Sequence, residues 1–337
     1  MTTTTVGFNQ ISAGLTINAV DTVDVLFGGT VVSTTVSGTL DVFSGGTAID
    51  TTVEGPFGEE LVWNGGTAIN TNVKAGGQQF VEFGGTAAGT VVFTGSLQRV
   101  VGGTASNTFV FGTEEVFDGG TAIDSFVFGN GSIEEVFTFG AASGTIVEFG
   151  GTVEVFGGTT SGTDVFNGGT EDVGFGGITI GTTVNGGGFE DVLNFGTASA
   201  TTINGGKVEV ESGGSIGSGP ITFTNAGGIL QLDDAQHFHG LIAGFASPPG
   251  VMEEIDLADI SFGKKTKVSF KEAQDKLSGT LTVTDGTHTA SLTLLGQYSA
   301  QDFSLASDGN GGTMVTDPQH HPSLVGSAAS PILAPPA

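Results

Sequence analysis

Apolar and polar positions alternate along this chain in short runs, and the runs return at a nearly constant interval. One column of hydroxyl residues reads Thr34, Thr51, Thr71, Thr90, Thr108, Ser125, Thr145, Thr163, Thr182 and Thr201, at spacings of 17–20 residues. Two positions after each comes an apolar residue: Val36, Val53, Val73, Val92, Val110, Val127, Val147, Val165, Val184 and Ile203. Half a repeat away stands a mostly acidic column, Asp24, Asp41, Glu60, Gln79, Arg99, Glu115, Glu135, Glu154, Asp172, Asp191 and Glu209, and the next residue is apolar every time. Alternation with a period of two is the mark of a half-buried strand. The phrase Gly-Gly-Thr-Ala recurs at 45–48, 65–68, 84–87, 102–105 and 119–122, and glycine lets the chain turn sharply between strands. Each unit thus predicts two short β segments separated by glycine turns.

A unit this small cannot bury its own apolar face, but stacked units can. The pattern therefore predicts an all-β fold in which each strand pairs with its equivalent one repeat later: a parallel β-solenoid of about ten coils of 17–20 residues, followed by a small C-terminal β domain. Coils would rise by about 4.8 Å each. The Thr-x-Val face is expected to point inward, with the threonines bonding along the axis, because the opposite parity would expose ten β-branched apolar residues.

Composition bears on this in three ways. The chain has 337 residues, 60 of them glycine, and 35 acids against 8 bases, for a net charge of -27. Such numbers alone are compatible with disorder; 26 phenylalanines, with valine or threonine at almost every step, and the register of the repeat argue for an ordered rod. The acidity argues against a nucleic-acid partner, whose phosphates need clustered bases, and the absence of cysteine excludes disulfides and thiolate metal sites. No apolar run is long enough to span a bilayer as a helix, so no membrane insertion is expected.

Composition shifts along the chain. Residues 1–231 hold 23 of the acids and only Lys74, Arg99 and Lys207 among the bases, while eight of the nine prolines lie beyond residue 219. The expected organisation is an N-terminal cap at 1–23, the solenoid at 24–215, a C-terminal β cap or secretion-associated module at 216–318, and a disordered tail at 319–337. Within the module, Lys264–Lys276 is compatible with a helix, and Asp285-Gly286 and Asp308–Gly312 read as turns.

The phrase Val-Phe-Ser-Gly-Gly-Thr-Ala-Ile-Asp-Thr-Thr-Val at 42–53, repeated as Val-Trp-Asn-Gly-Gly-Thr-Ala-Ile-Asn-Thr-Asn-Val at 62–73, resembles the AIDA-type repeats of self-associating autotransporter adhesins. The resemblance covers roughly residues 20–215. It implies a right-handed parallel β-solenoid displayed outside the cell and used in adhesion, autoaggregation or biofilm formation. Two features depart from the autotransporter plan: the N-terminus lacks the pattern of a signal peptide, and the residues after the solenoid do not supply a translocator barrel. The segments 240–245, 255–262, 279–290 and 307–318 resemble the end module of secreted repeat proteins from rhizobium-like α-proteobacteria. That resemblance implies export by type I secretion machinery, hence an extracellular or cell-surface protein without a cleavable leader.

Candidate chemistry lies in three features. The carboxylates Asp24, Asp41, Glu60, Glu115, Glu135, Glu154, Asp172, Asp191 and Glu209 would form either a solvated ladder or a ladder bridged by Ca²⁺, a cation that takes several oxygen ligands in flexible geometry. Phe27, Phe43, Trp63, Phe83, Phe117, Phe137, Phe139, Phe149, Phe156, Phe166, Phe175 and Phe195 flank the turns, either packing the corners or forming an exposed stripe for self-association. The doublets Glu59-Glu60, Glu114-Glu115, Glu134-Glu135, Glu171-Asp172 and Glu190-Asp191 raise the alternative of a polysaccharide-acting β-helix enzyme, which needs two carboxyls at a set separation. They repeat along the rod, whereas an active site is a single break in a pattern, so no residue is assigned as catalytic. The expected partners are a second copy, a surface polysaccharide or a host surface, with Ca²⁺ the one candidate cofactor.

Overall fold

A computed structural model describes residues 2–316 apart from 247 and 249; the tail expected at 319–337 lies outside the described residues. Strands and one short 3-10 turn account for the regular structure. The coil has three strands, not two. In the fourth coil they are Glu59–Val62, Thr67–Ile69 and Asn72–Lys74. Each pairs in parallel with its equivalent in the next coil, as in Glu59↔Gln78, Thr67↔Thr86 and Asn72↔Val91. The acid-containing segment supplies the first sheet and the residues that follow the Thr/Ser column supply the third. The missed second sheet is the Thr-Ala-Ile that directly follows the glycines, too short to declare an alternation.

The register runs further than residues 24–215. Thr3–Val6 already pairs with Thr22–Val25, so the segment expected as an N-terminal cap supplies the first coil. Twelve strands of the second sheet count twelve complete coils, up to Ser215–Ile216, and a thirteenth turn passes through Gly228–Leu232 and Leu241–Ala243 without one. The C-terminal segment then extends the outer two sheets. Glu253–Leu257 joins the first sheet in parallel and is followed by antiparallel Thr313–Thr316 and Ser304–Ser307. Thr289–Leu295, Ser278–Thr284 and Lys267–Glu272 extend the third. Lys264–Lys276 is thus not helical: its centre is an edge strand, and Lys267 and Lys271 place on that edge the charges that discourage further strand addition. One apolar core, including Ile203, Leu230, Phe245, Leu257 and Leu292, passes without a break from the last coils into this cap.

Three apolar columns point inward along the solenoid. Val42, Val62 and Val81 come from the first sheet, Ala48, Ala68 and Ala87 from the second, and Val53, Val73 and Val92 from the third, all buried. The glycine doublet has two separate jobs. Gly65 adopts φ 74°, the left-handed turn conformation. Gly66 lies against the coil before it: a Cβ there would stand 2.1 Å from the Val42 carbonyl oxygen, so only a residue without one fits. The next corner is a left-handed residue ahead of the buried threonine, as at Asp50 and Asn70, residue types that tolerate that region.

Candidate functional site: an inner acid ladder and the outer faces

The acid column of the sequence is two columns in space. Asp41 pairs with Leu61, not Glu60, and Glu60 pairs with Leu40. The outer column therefore reads Asp24, Asp41, Leu61, Phe80, Arg99, Glu115, Glu135, Glu154, Asp172, Asp191 and Glu209. Glu60, expected in the Ca²⁺ ladder, is instead sealed in the interior. It heads an inner column that continues through Gln79, Gln98, Glu114 and Glu134, is interrupted by Val153, and resumes at Glu171 and Glu190. All seven polar members are 0% exposed.

The buried Thr/Ser column faces this ladder. Glu60 accepts hydrogen bonds from Thr51 and Thr71, each at 2.8 Å, and from Gln79 Nε2 at 2.6 Å. Gln79 Oε1 accepts from Thr90 at 3.0 Å and from Gln98 Nε2 at 2.7 Å, and Gln98 Oε1 accepts from Thr108 at 3.0 Å. The amides thus all donate toward Glu60, the direction that favours its charge. Ser125 donates to Glu114 at 2.8 Å. Thr160 and Thr182 donate to Glu171 at 2.9 and 2.7 Å, and Thr179 to Glu190 at 3.1 Å. Thr160 and Thr179 replace the alanine of the second sheet in the coils beside this second acid pair. The hydroxyls were expected to bond along the axis. Thr51 and Thr71 lie 2.9 Å apart along it, but with their protons directed to Glu60 they, like the others named here, reach across the interior to the acids and amides.

Burial raises the pKa of every acid in the ladder, since the charged form loses its hydration. Glu114 is pushed up to about 7 and Glu190, with the charge of Glu171 adding to burial, to about 8. Burial and then the charge of Glu114 hold Glu134 well above the usual carboxylate range. Both Glu134 oxygens and Glu114 Oε1 make no hydrogen bond of ordinary geometry; a proton on one of these neighbouring acids would supply a donor between them. Glu190, and in part Glu114, thus hold a proton near neutrality, and the formal -27 overstates the charge. Because Gln79 joins three partners, Gln79→Leu is expected to destabilise the fold by about 3 kcal/mol, read by urea unfolding.

Facing solvent, Glu115, Glu135, Glu154, Asp172, Asp191 and Glu209 run through six successive coils, with Arg99 bonded to Glu115 at 2.7 Å and Lys207 to Glu209 at 2.7 Å at the two ends. Partial burial, then the charges of neighbouring acids, raises Asp172 to about 6 and Asp191 to about 7. Among the described residues, no group of three or more His, Cys, Asp or Glu is arranged to hold a metal ion. The acidic doublets do not form carboxyl pairs. Each acidic doublet places one carboxyl outside and the other inside the sealed core, because successive strand residues face opposite ways.

The turn aromatics divide. Phe27, Phe83, Phe139, Phe149, Phe166, Phe175 and Phe195 are exposed, whereas Phe43, Trp63, Phe117, Phe137 and Phe156 are half-buried beside the first sheet. The sequence reading missed the most contiguous aromatic set, on the third sheet. Phe109 and Phe126 are adjacent outward residues there, and Phe93, Phe111 and Phe128 follow at the strand ends. With Phe149 they form an unbroken set of six rings, neighbouring centroids being 5.2–6.3 Å apart. The available signal was Phe-Val-Phe at 109–111 and 126–128, which puts both aromatics on the outer face.

No protein-family model and no curated protein sequence matches the chain. Among solved structures, the chain is similar to the TibC-catalysed, hyper-glycosylated TibA fragment 55–350. The TM-score is 0.66 and the identity 30%, over 74% of this chain and 90% of the fragment. The chain belongs to the same β-solenoid family as TibA. The TibA likeness agrees with the AIDA-type resemblance of the repeats, and the class of fold expected from the repeat is the one observed.

Proposed function

We propose that the protein is a secreted or cell-surface structural protein that acts in adhesion and autoaggregation, with the phenylalanine face of the third sheet as its self-contact surface. The observation that supports this most directly is a ring cluster spread over several coils of a strongly acidic chain. Phe93, Phe109 and Phe149 are 41%, 46% and 55% exposed, and contiguous apolar surface of this kind marks contact sites. The interior ladder is closed and the doublets are split between two faces, so the reading requires no catalytic centre. TibA-like architecture and the AIDA-type repeats favour display outside the cell. Self-repulsion between acidic rods would make association stronger as salt screens their charge.

The test uses the full chain. In its native host, deletion is expected to reduce cell aggregation, and the double variant Phe109→Ser/Phe126→Ser is expected to reduce it to the deletion level with the same surface abundance. In solution the wild-type chain should sediment as oligomers at high salt and the variant as a monomer. Equal aggregation by wild type, variant and deletion would refute the proposal.

A further inference from the structure

The chain's one tryptophan lies in an open groove that the self-contact reading does not use. The groove, of about 540 Å³, crosses three successive coils at the corner between the first and second sheets. It is lined by Phe43 and Ser44, then Trp63 and Asn64, then Glu82 and Phe83. Phe43 and Trp63 stack with their planes 8° apart and their centroids 6.3 Å apart. Trp63 Nε1 donates to Asp41 Oδ1 at 2.8 Å, which fixes the indole and satisfies its one polar atom within the protein. The indole thus contributes its apolar surface to the groove. Phe83, 72% exposed, stands up at one end as a wall. Around these rings are a hydroxyl, an amide and a carboxyl.

We infer that this groove binds a glycan, seating one neutral hexose or N-acetylhexosamine unit against Trp63 and Phe83. The occupant follows from two properties of the lining. It is too open to desolvate a wholly apolar molecule, and its polar groups sit beside aromatic surface. That calls for a ligand with an apolar face and a polar rim, as a pyranose ring has: its C–H face lies on the aromatic rings, and its hydroxyls meet Asn64, Ser44 and the acceptor oxygens of Glu82. The charge is decided as well. The lining holds no Lys or Arg, and the chain is acidic throughout, so uronates, sulfates and phosphates are disfavoured. The groove and the phenylalanine face occupy different corners of the coil, so sugar binding and self-association can each fail without the other.

Because Trp63 is the only tryptophan, its fluorescence reports on this groove in the intact protein. Cellotetraose, mannotetraose and chitotetraose are to be titrated as neutral probes, with tetragalacturonate as the acidic one. At least one neutral probe is expected to shift Trp63 emission saturably, and tetragalacturonate to bind more weakly. Phe83→Ala, at an exposed side chain, should weaken the best probe about tenfold, the worth of one aromatic contact. Glu82→Gln, which keeps the oxygen acceptor but removes the charge, should retain neutral binding and improve tetragalacturonate. The inference is overturned if no neutral probe shifts the emission, if Phe83→Ala binds like wild type, or if tetragalacturonate binds as tightly as the best neutral probe.

Discussion

Glu134→Gln is expected to raise the melting temperature at pH 9 and to leave it nearly unchanged at pH 5. Burial, and next the charge of Glu114, raises the Glu134 pKa well above its unfolded value of 4.5. An acid whose folded pKa is raised imposes no penalty below the unfolded value, because both states are then protonated. As pH climbs from the unfolded value toward the folded one, the unfolded chain gives up its proton while the folded chain keeps it, so stability falls; above the folded value both have ionised and the loss levels off. Glu190, pushed from 4.5 to about 8, shows the scale: about 1.4 kcal/mol per pKa unit makes this one group cost on the order of 5 kcal/mol at pH 9. Glu190→Gln should therefore act in the same direction. Its effect should not add fully to that of Glu134→Gln, because the charge of Glu171 acts on both acids across Val153. The wild-type melting temperature should be highest on the acidic side and decline steadily from pH 5 to pH 9. A flat profile, or a Glu134→Gln variant less stable than wild type at pH 9, would contradict the protonated interior.

Gly66→Ala is expected to destabilise the solenoid more than any other single-methyl change at its turn, by about 4 kcal/mol or more, a size reserved for backbone clashes and core disruption. The added Cβ would sit 2.1 Å from the Val42 carbonyl oxygen. That oxygen already accepts a hydrogen bond from Trp63 N at 2.9 Å, so it cannot move aside without breaking the ladder between coils. Gly65→Ala is the matched control. Its Cβ would meet the flexible Ser44 hydroxyl at 2.7 Å, and its main cost is the left-handed backbone, about 1–2 kcal/mol. Urea unfolding of the two variants should separate them clearly. Equal losses would mean that coils do not approach at the second glycine.

These two expectations show what the repeat made legible and what it hid. Stacking of equivalent strands, inward valines and buried threonines follow from alternation alone, because a misplaced face would expose ten β-branched residues. Coil geometry was harder to read. Thr67–Ile69 has three residues with one inward side chain, Ala68, and so carries no periodic signal of its own. The acid column failed for a related reason. Its members were aligned by the apolar residue that follows each, but Leu61 and Phe80 are outward residues that only mimic the inward valines. One position of slip then moved Glu60 and Gln79 from the core to the surface, since a single step along a strand reverses the face. The doublets Glu114-Glu115, Glu134-Glu135, Glu171-Asp172 and Glu190-Asp191 contained the correction: two adjacent acids in a strand cannot both be outside. Burying an acid is costly enough to argue against that reading. What offsets the cost is protonation together with the hydroxyl column, whose place opposite the acids emerges only once the second sheet is known to close the coil. The groove over Trp63 was equally hidden, because it joins residues of three coils.

The division of acids into a structural interior and a solvent-facing exterior is tested most directly by a site-resolved titration. With glutamate labelled at the side-chain carboxyl carbon, NMR of the intact protein between pH 3 and pH 9 would follow each group. Glu114 should titrate near 7 and Glu190 near 8, with Glu134 also far above the ordinary glutamate range. If Glu114, Glu134 and Glu190 all titrate near the ordinary glutamate value of 4.5, they face water, and the inner ladder is contradicted.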